Sequence, residues 1–360
     1  MSEYTLVENP DSICPQISDQ DPVGVDTEFV RERTFFAELS LIQLATRDHI
    51  FCVDPLTGAA MDEFWDCLLA RTWILHSGRQ DIEVVYQAAN RMPAALFDTQ
   101  IAAALLGHAP QLGYASLVDV LFGAALAKSH TRADWSKRPL TEALLHYAAE
   151  DVQYLLPAYA TLAEQLDKRG RMDWAREDSA QLLNPGLYEV DAEGAIERLK
   201  GARNLRGRRR AAAARLAVWR EREAIRANRP RQWIARDSVL IAIASSLPEN
   251  ISALQDAEGL APGLVRRRGQ RLLEIIAESA GDEHDYRPPA APTQSQKALL
   301  KQLQVRVAAH ARELGIAAEV LASRKDLVAI TMGRESESRV LAGWRRDVIG
   351  DDLLDLVAGR

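Results

Sequence analysis

Cysteine is scarce: the 360 residues hold three, Cys14, Cys52 and Cys67, and no two share C-x-x-C spacing. An odd number without that spacing argues against a disulfide framework and a zinc cluster, and leaves small, partly buried hydrophobes as the reading of all three. Long apolar runs are missing too. The longest, such as Val239 to Ala244, fall far short of the roughly 20 residues a membrane helix needs, so neither a span nor a membrane partner is expected. The opening MSEYTLVENPD has no basic n-region and no apolar h-region; nothing marks it for secretion, and a cytoplasmic address is expected. What is present is ordinary globular composition, 47% apolar and 26% charged. One hydrophobic core rarely serves a chain of this length, so two or three domains are expected.

The net charge of −7 conceals a segregation. Residues 1 to 100 hold 17 Asp/Glu against 6 Lys/Arg, a balance of −11, while residues 198 to 236 hold 14 Lys/Arg against only Glu221 and Glu223, a balance of +12. One part gathers carboxylates and another is suited to an anionic partner, although such stretches are often only solvated faces.

Short β-forming runs, 23 to 29, 39 to 45, 50 to 53 and 73 to 76, predict four strands. Helical patterns follow at 80 to 89, from about Asp98, and from about 141 to 162. Strands in succession and then in alternation with helices predict a mixed α/β sheet. From Asn204 onward the strand signal nearly vanishes. Residues 206 to 282 read as a small helical domain, 283 to 295 as a proline-marked linker, and 296 to 360 as a second small helical domain. The first domain spans 1 to 185.

Within the first strand, Asp26 and Glu28 are two residues apart, which puts both acids on one face, roughly 7 Å apart. Two acids on one side of an apolar strand are costly unless solvent, a base or a metal meets them. Asp81 stands at the start of a helix, where an acid is favoured by the dipole alone. Asp151 lies one helical turn after Tyr147, so the two share a face, although a tyrosine there is more often core packing. As a set, four hard oxygen ligands from a strand, a turn and a helix suit two divalent cations, Mg2+ or Mn2+.

VDTEF, HSGRQDIEVV and YAAEDVQYLL match, in order and spacing, the three motifs of the DEDD exonuclease superfamily, in its tyrosine-bearing branch. With FDTQIAAALLG, LGYASLV and AKSHTRADWSKRPL between them, residues 20 to 165 resemble the ribonuclease D family. His146 also satisfies the spacing of the histidine-bearing branch, but it lies about 140° from Asp151 around the helix axis against about 40° for Tyr147, which favours Tyr147. The resemblance implies a ribonuclease H-like mixed-sheet exonuclease domain that removes nucleoside 5′-monophosphates from RNA 3′ ends, tRNA precursors and other small structured RNAs included. Asp26, Glu28, Asp81 and Asp151 would hold the metals, and Tyr147 would orient the attacking water. It also places Lys128, Trp135 and Arg138 beside the active-site groove, where cations meet phosphates and Trp135 either stacks or anchors a loop.

Further on, W-R-E at 219 to 221, N-x-P at 228 to 230 and the helix start at Asp237 are similar to the HRDC domain, a helical module that helps hold nucleic acid. There Arg208, Arg209 and Arg210, with Arg266 to Arg268, are candidate phosphate contacts. Residues 295 to 360 resemble a divergent second copy. A monomer acting on RNA is expected. The alternatives are a DNA 3′→5′ exonuclease and an inactive RNA-binding protein.

Overall fold

Alternation along one strand organises the sheet. In β2 (Val23–Val30), Val23, Val25 and Thr27 are buried on one face and Gly24, Asp26 and Glu28 lie on the other. The computed structural model describes residues 4–126, 133–282 and 292–359. Lys128, and 283 to 291 of the expected linker, lie outside the described residues. The described residues gather into two compact units, one within Met1–Val30, Leu39–Tyr188 and Pro292–Arg360, the other within Arg31–Glu38 and Glu189–Ala291.

The first unit holds a six-stranded sheet in the order β1-β4-β3-β2-β5-β6. Its strands are β1 (Tyr4–Val7), β2, β3 (Glu38–Ala45), β4 (Ile50–Val53), β5 (Thr72–Leu75) and β6 (Ala95–Asp98). β3 and β4 are antiparallel, whereas β1 with β4, β2 with β5, and β5 with β6 are parallel, so the sheet is mixed. The helices that flank it are α1 (Cys14–Ser18), α2 (Asp62–Leu69), α3 (Arg79–Ala89), α4 (Thr99–Leu105), α5 (Tyr114–Phe122), α6 (Glu142–Gln153), α7 (Leu155–Lys168) and α8 (Met172–Ala180). One apolar cluster packs Ile17, Phe64, Leu68 and Trp73 on the face of Val23 and Val25; each such fully buried side chain stabilises the fold by about 1.5–3 kcal/mol.

The helix expected from 141 to 162 is two helices. Pro157 has no N–H to donate to the carbonyl of Gln153, and its ring would collide there, so the chain breaks at Tyr154. Tyr154 N–H donates instead to Tyr114 Oη at 3.0 Å. β2 meets this break at Gly24, where a Cβ would stand 3.1 Å from Leu155 Cβ and 3.2 Å from Ala45 Cβ. Glycine thereby admits the helix pair close over the face that carries Asp26 and Glu28.

The second unit is helical: α9 (Ala195–Arg198), α10 (Gly207–Ala227), α11 (Arg231–Ile234), α12 (Asp237–Ser246), α13 (Ile251–Gln255) and α14 (Pro262–Glu278) surround a core of Leu216, Leu240, Ile243, Leu254 and Leu272. Asn228 ends α10 in a left-handed conformation, φ +44°, and its Oδ1 accepts the N–H groups of Phe35 and Phe36, each at 3.1 Å.

The final segment contains α15 (Gln294–Leu314), α16 (Ala318–Leu321), α17 (Arg324–Thr331), α18 (Gly343–Arg345) and α19 (Asp351–Ala358). Residues 335 to 345 form a succession of short turns, with Gly343 at φ +53°. Residues 296 to 360, expected as a domain of their own, share a core with the exonuclease domain: Leu303, Val307, Leu321 and Trp344 join Leu105, Leu162 and Leu166. Trp174 stacks on Trp344, centroids 4.2 Å apart, and Arg345 grips Asp178 through two bonds of 2.5 and 2.7 Å.

Candidate active site

β2 presents Asp26 and Glu28, and β5 leads into the third acid. The turn after β5 is held by Asp98, whose carboxylate accepts the N–H groups of Ser77 at 3.1 Å and Gly78 at 2.9 Å while also capping α4. α3 then starts with Asp81 in its first turn. Asp81 is 8% exposed, and its Oδ1 accepts from Thr27 N–H at 3.1 Å and Thr27 Oγ1 at 2.6 Å. A residue from the buried face of β2 therefore locks a carboxylate beside the acids of the opposite face.

α6 supplies Tyr147 and Asp151, whose side chains are hydrogen-bonded to each other. His146 turns elsewhere: its Nε2 lies 3.5 Å from Glu150. The helical geometry that favoured Tyr147 is what the side chains adopt.

The four carboxyls are within electrostatic reach of one another. Burial first, and then Asp81, Asp151 and Glu28, push Asp26 well above the ordinary carboxylate range. Burial, with Asp151 and Asp81, raises Glu28 to about 8. Burial raises Asp81 to about 6 against the opposing Thr27 bonds, and Asp151 to about 7 against the bond from Tyr147. The Tyr147 phenol is itself pushed up, by burial and then by Asp151 and Glu28. Among the described residues no group of three or more His, Cys, Asp or Glu side chains is drawn together in metal-ligand geometry. Desolvated oxygen donors that repel each other fit a hard divalent cation, which relieves both costs at once.

Two residues of this site were not singled out by sequence reasoning. Thr27 sits between the two strand acids, the one signal it offers. Tyr114, in LGYASLV, is partly buried, with its phenol held high by desolvation and by Asp151 and Asp26. A cleft of about 640 Å³ lined by Pro22, His49, Pro157 and Tyr159 contains none of the four acids.

The outlying candidates fare differently. Trp135 is 3% exposed and packs on Tyr147, centroids 6.2 Å apart, so it anchors a loop and offers no free stacking face. Arg138 holds Asp54 through bonds of 2.5 and 2.6 Å and donates to the carbonyls of Ser40 and Trp135, each at 2.7 Å; its guanidinium is spent inside the fold. Arg210 is 4% exposed, with Glu197 at 3.2 Å and Ala202 O at 3.1 Å, so it too is structural. Arg208 is half-buried and reaches Ile276 O at 3.4 Å. Arg209 alone of the three is exposed.

The HRDC signature is equally structural. Arg220 is buried against Asp237 at 2.5 Å, and Glu221 is shared by Arg231 at 2.6 Å and Arg198 at 3.1 Å. Thus Arg220 ties α10 to the start of α12, and Glu221 ties it to α9 and α11.

A 3′-5′ exonuclease family model matches residues 5–167 and an HRDC domain model matches residues 209–276. Ribonuclease D of Gluconacetobacter diazotrophicus is 37% identical, over 99% of this chain and 92% of its own length. Ribonuclease D of Acidiphilium cryptum is 36% identical, over 99% and 94%. The crystal structure of Escherichia coli ribonuclease D, described as an exoribonuclease involved in structured RNA processing, superposes with a TM-score of 0.88 at 29% identity, over 99% of both chains.

Proposed function

The chain belongs to the ribonuclease D family, and from that premise we propose that it trims the 3′ ends of tRNA precursors and other small structured RNAs, releasing nucleoside 5′-monophosphates. The family membership makes it a 3′-5′ exoribonuclease that uses divalent metal, with RNA as substrate. No helix among the described residues is long and apolar enough to cross a membrane. The relative from Escherichia coli, described as acting in structured RNA processing, supports the choice of structured RNA.

One observation carries the catalytic reading: four carboxyls, Asp81 buried and the other three partly buried, lie within electrostatic reach of one another, and a tyrosine is bonded to one of them. Asp26, Glu28, Asp81 and Asp151 would hold two cations, Mg2+ or Mn2+, which supply a deprotonated water at neutral pH and offset charge on the phosphate. Thr27 fixes one Asp81 oxygen and leaves the other for a ligand. Tyr147, with its phenol raised, stays protonated at neutral pH, so it orients the attacking water by hydrogen bonding and does not remove its proton.

The test offers matched RNA and DNA strands and a tRNA with extra 3′ nucleotides to the protein with Mg2+ or Mn2+. Stepwise loss of 5′-monophosphates from the RNA and the tRNA, faster than from DNA, is expected. Equal digestion of DNA overturns the RNA assignment, and unimpaired trimming by Asp81→Asn overturns the four-carboxylate site.

A further inference from the structure

Cys14 and Cys67 are 53 residues apart in sequence, yet their Sγ atoms stand 2.7 Å from each other. That is closer than the roughly 3.5–4 Å of ordinary nonbonded packing. Cys14 opens α1 and Cys67 sits in the last turn of α2, so two helices face each other through sulfur. Both residues are partly exposed, whereas Cys52 is buried elsewhere. We propose that Cys14 and Cys67 form a thiol–disulfide site that a small-molecule disulfide, such as oxidised glutathione, closes into a cystine.

The reaction balances with that oxidant alone. The Cys14 thiolate attacks one glutathione sulfur, breaking the glutathione S–S bond and expelling one glutathione thiolate. Cys67 then gives its proton to solvent and attacks Cys14 Sγ, forming the protein S–S bond and expelling the second glutathione. The protein loses two hydrogens and the oxidant gains them. Cys14 is the entry point, because burial and the bond to Cys14 push the Cys67 thiol up to about 12 and keep it protonated until the mixed disulfide is alongside. The closed loop from 14 to 67 contains β2, β3 and β4, and so the strand that carries Asp26 and Glu28.

The full chain, reduced and then exposed to oxidised glutathione, is read by intact mass and peptide mapping. The expected result is a two-hydrogen loss, a linked pair of peptides carrying Cys14 and Cys67, Cys52 as the remaining thiol after denaturation, and a thermal midpoint raised by roughly 5–10 °C. Dithiothreitol reverses each change. Cys52→Ser retains the reaction, while Cys14→Ser and Cys67→Ser lose it. A lasting glutathione adduct, a disulfide between two chains, or no change of mass overturns the proposal; since the mapping is done on the wild-type chain, a misfolded serine variant leaves it decidable.

Discussion

The acidic cluster of the exonuclease domain and the arginine-rich helical unit both stand out in the sequence as charge of one sign, and the structure treats them in opposite ways. At Asp26, Glu28, Asp81 and Asp151 the acids face one another, and burial and repulsion raise all four pKa values. In the helical unit about half of the arginines have an acid, those buried in the fold among them: Arg222 meets Glu193 at 2.6 Å, Arg210 meets Glu197 at 3.2 Å, and Arg226 and Arg268 share Glu223 at 2.7 Å each. Charge density becomes chemistry where neighbours leave it unneutralised. Elsewhere it is architecture.

The sharpest way to break that comparison is to neutralise one member of each cluster. Asp151→Asn is expected to cut the rate of 3′ trimming by at least about 10³-fold, since a ligand and the partner of Tyr147 are lost together. Its thermal midpoint should hold or rise, because one repelling charge is gone. Arg220→Ala is the mirror case. It strands Asp237 unpaired in a partly buried site and is expected to cost about 3 kcal/mol of stability, read by urea unfolding, with little change in activity of the molecules that remain folded. Activity lost in step with neither outcome would erase the distinction.

Next in size is the tyrosine. Tyr147→Phe is expected to lower kcat about 10²-fold, with His146→Ala within about twofold of wild type. A large loss only in the histidine variant would transfer the role to the side chain that faces Glu150.

The acids also predict a pH dependence of defined sign. Their folded-state values are raised, to about 6 at Asp81, about 7 at Asp151 and about 8 at Glu28, above the ordinary unfolded carboxylate near 4. A folded state that holds its protons longer is favoured at low pH, so this contribution is full below about pH 4 and fades as pH rises through 6 to 8. Without divalent metal the thermal midpoint should therefore drift downward between pH 5 and 8. Added Mg2+ or Mn2+ should reverse the drift, most strongly at the alkaline end, where no protons compete. A flat profile in chelator would show that the acids do not repel each other.

Much of this was legible in sequence, for reasons particular residues make clear. Two-residue spacing put Asp26 and Glu28 on one face, and helical spacing paired Tyr147 with Asp151, because local periodicity decides both. β1 was missed: its burial pattern of one buried residue in four gives no alternation, and it becomes a strand only by pairing with Ile50 to Val53. β6 was missed because its four residues run straight into the Asp98 cap of α4. Arg210 and Arg138 were misread as phosphate contacts, since Glu197 and Asp54 approach them from 13 and 84 residues away. The excess of cations between 198 and 236 is partly offset by Glu193, Glu197, Asp237 and Glu278, which lie just outside that window or on α14.

The smallest effect belongs to the cations left over. Among the described residues Arg209, Arg266 and Arg267 are exposed and make no ion pair; with Lys200, Arg203, Arg206, Arg229 and Arg236, which share both properties, they make up the basic footprint left once the architectural arginines are removed. If the helical unit helps to grip RNA, replacing Arg209, Arg266 and Arg267 with alanine should weaken binding only severalfold at moderate salt. It should also flatten the dependence of log affinity on log salt by about 0.7 per lost phosphate contact to a single strand. The matched control is Arg222→Ala, which removes an equally exposed guanidinium already committed to Glu193 and should leave the slope alone. Equal slopes for all the variants would mean that neutralised and unneutralised arginines are alike to RNA, and the distinction drawn between the two regions would then hold only for the carboxylates.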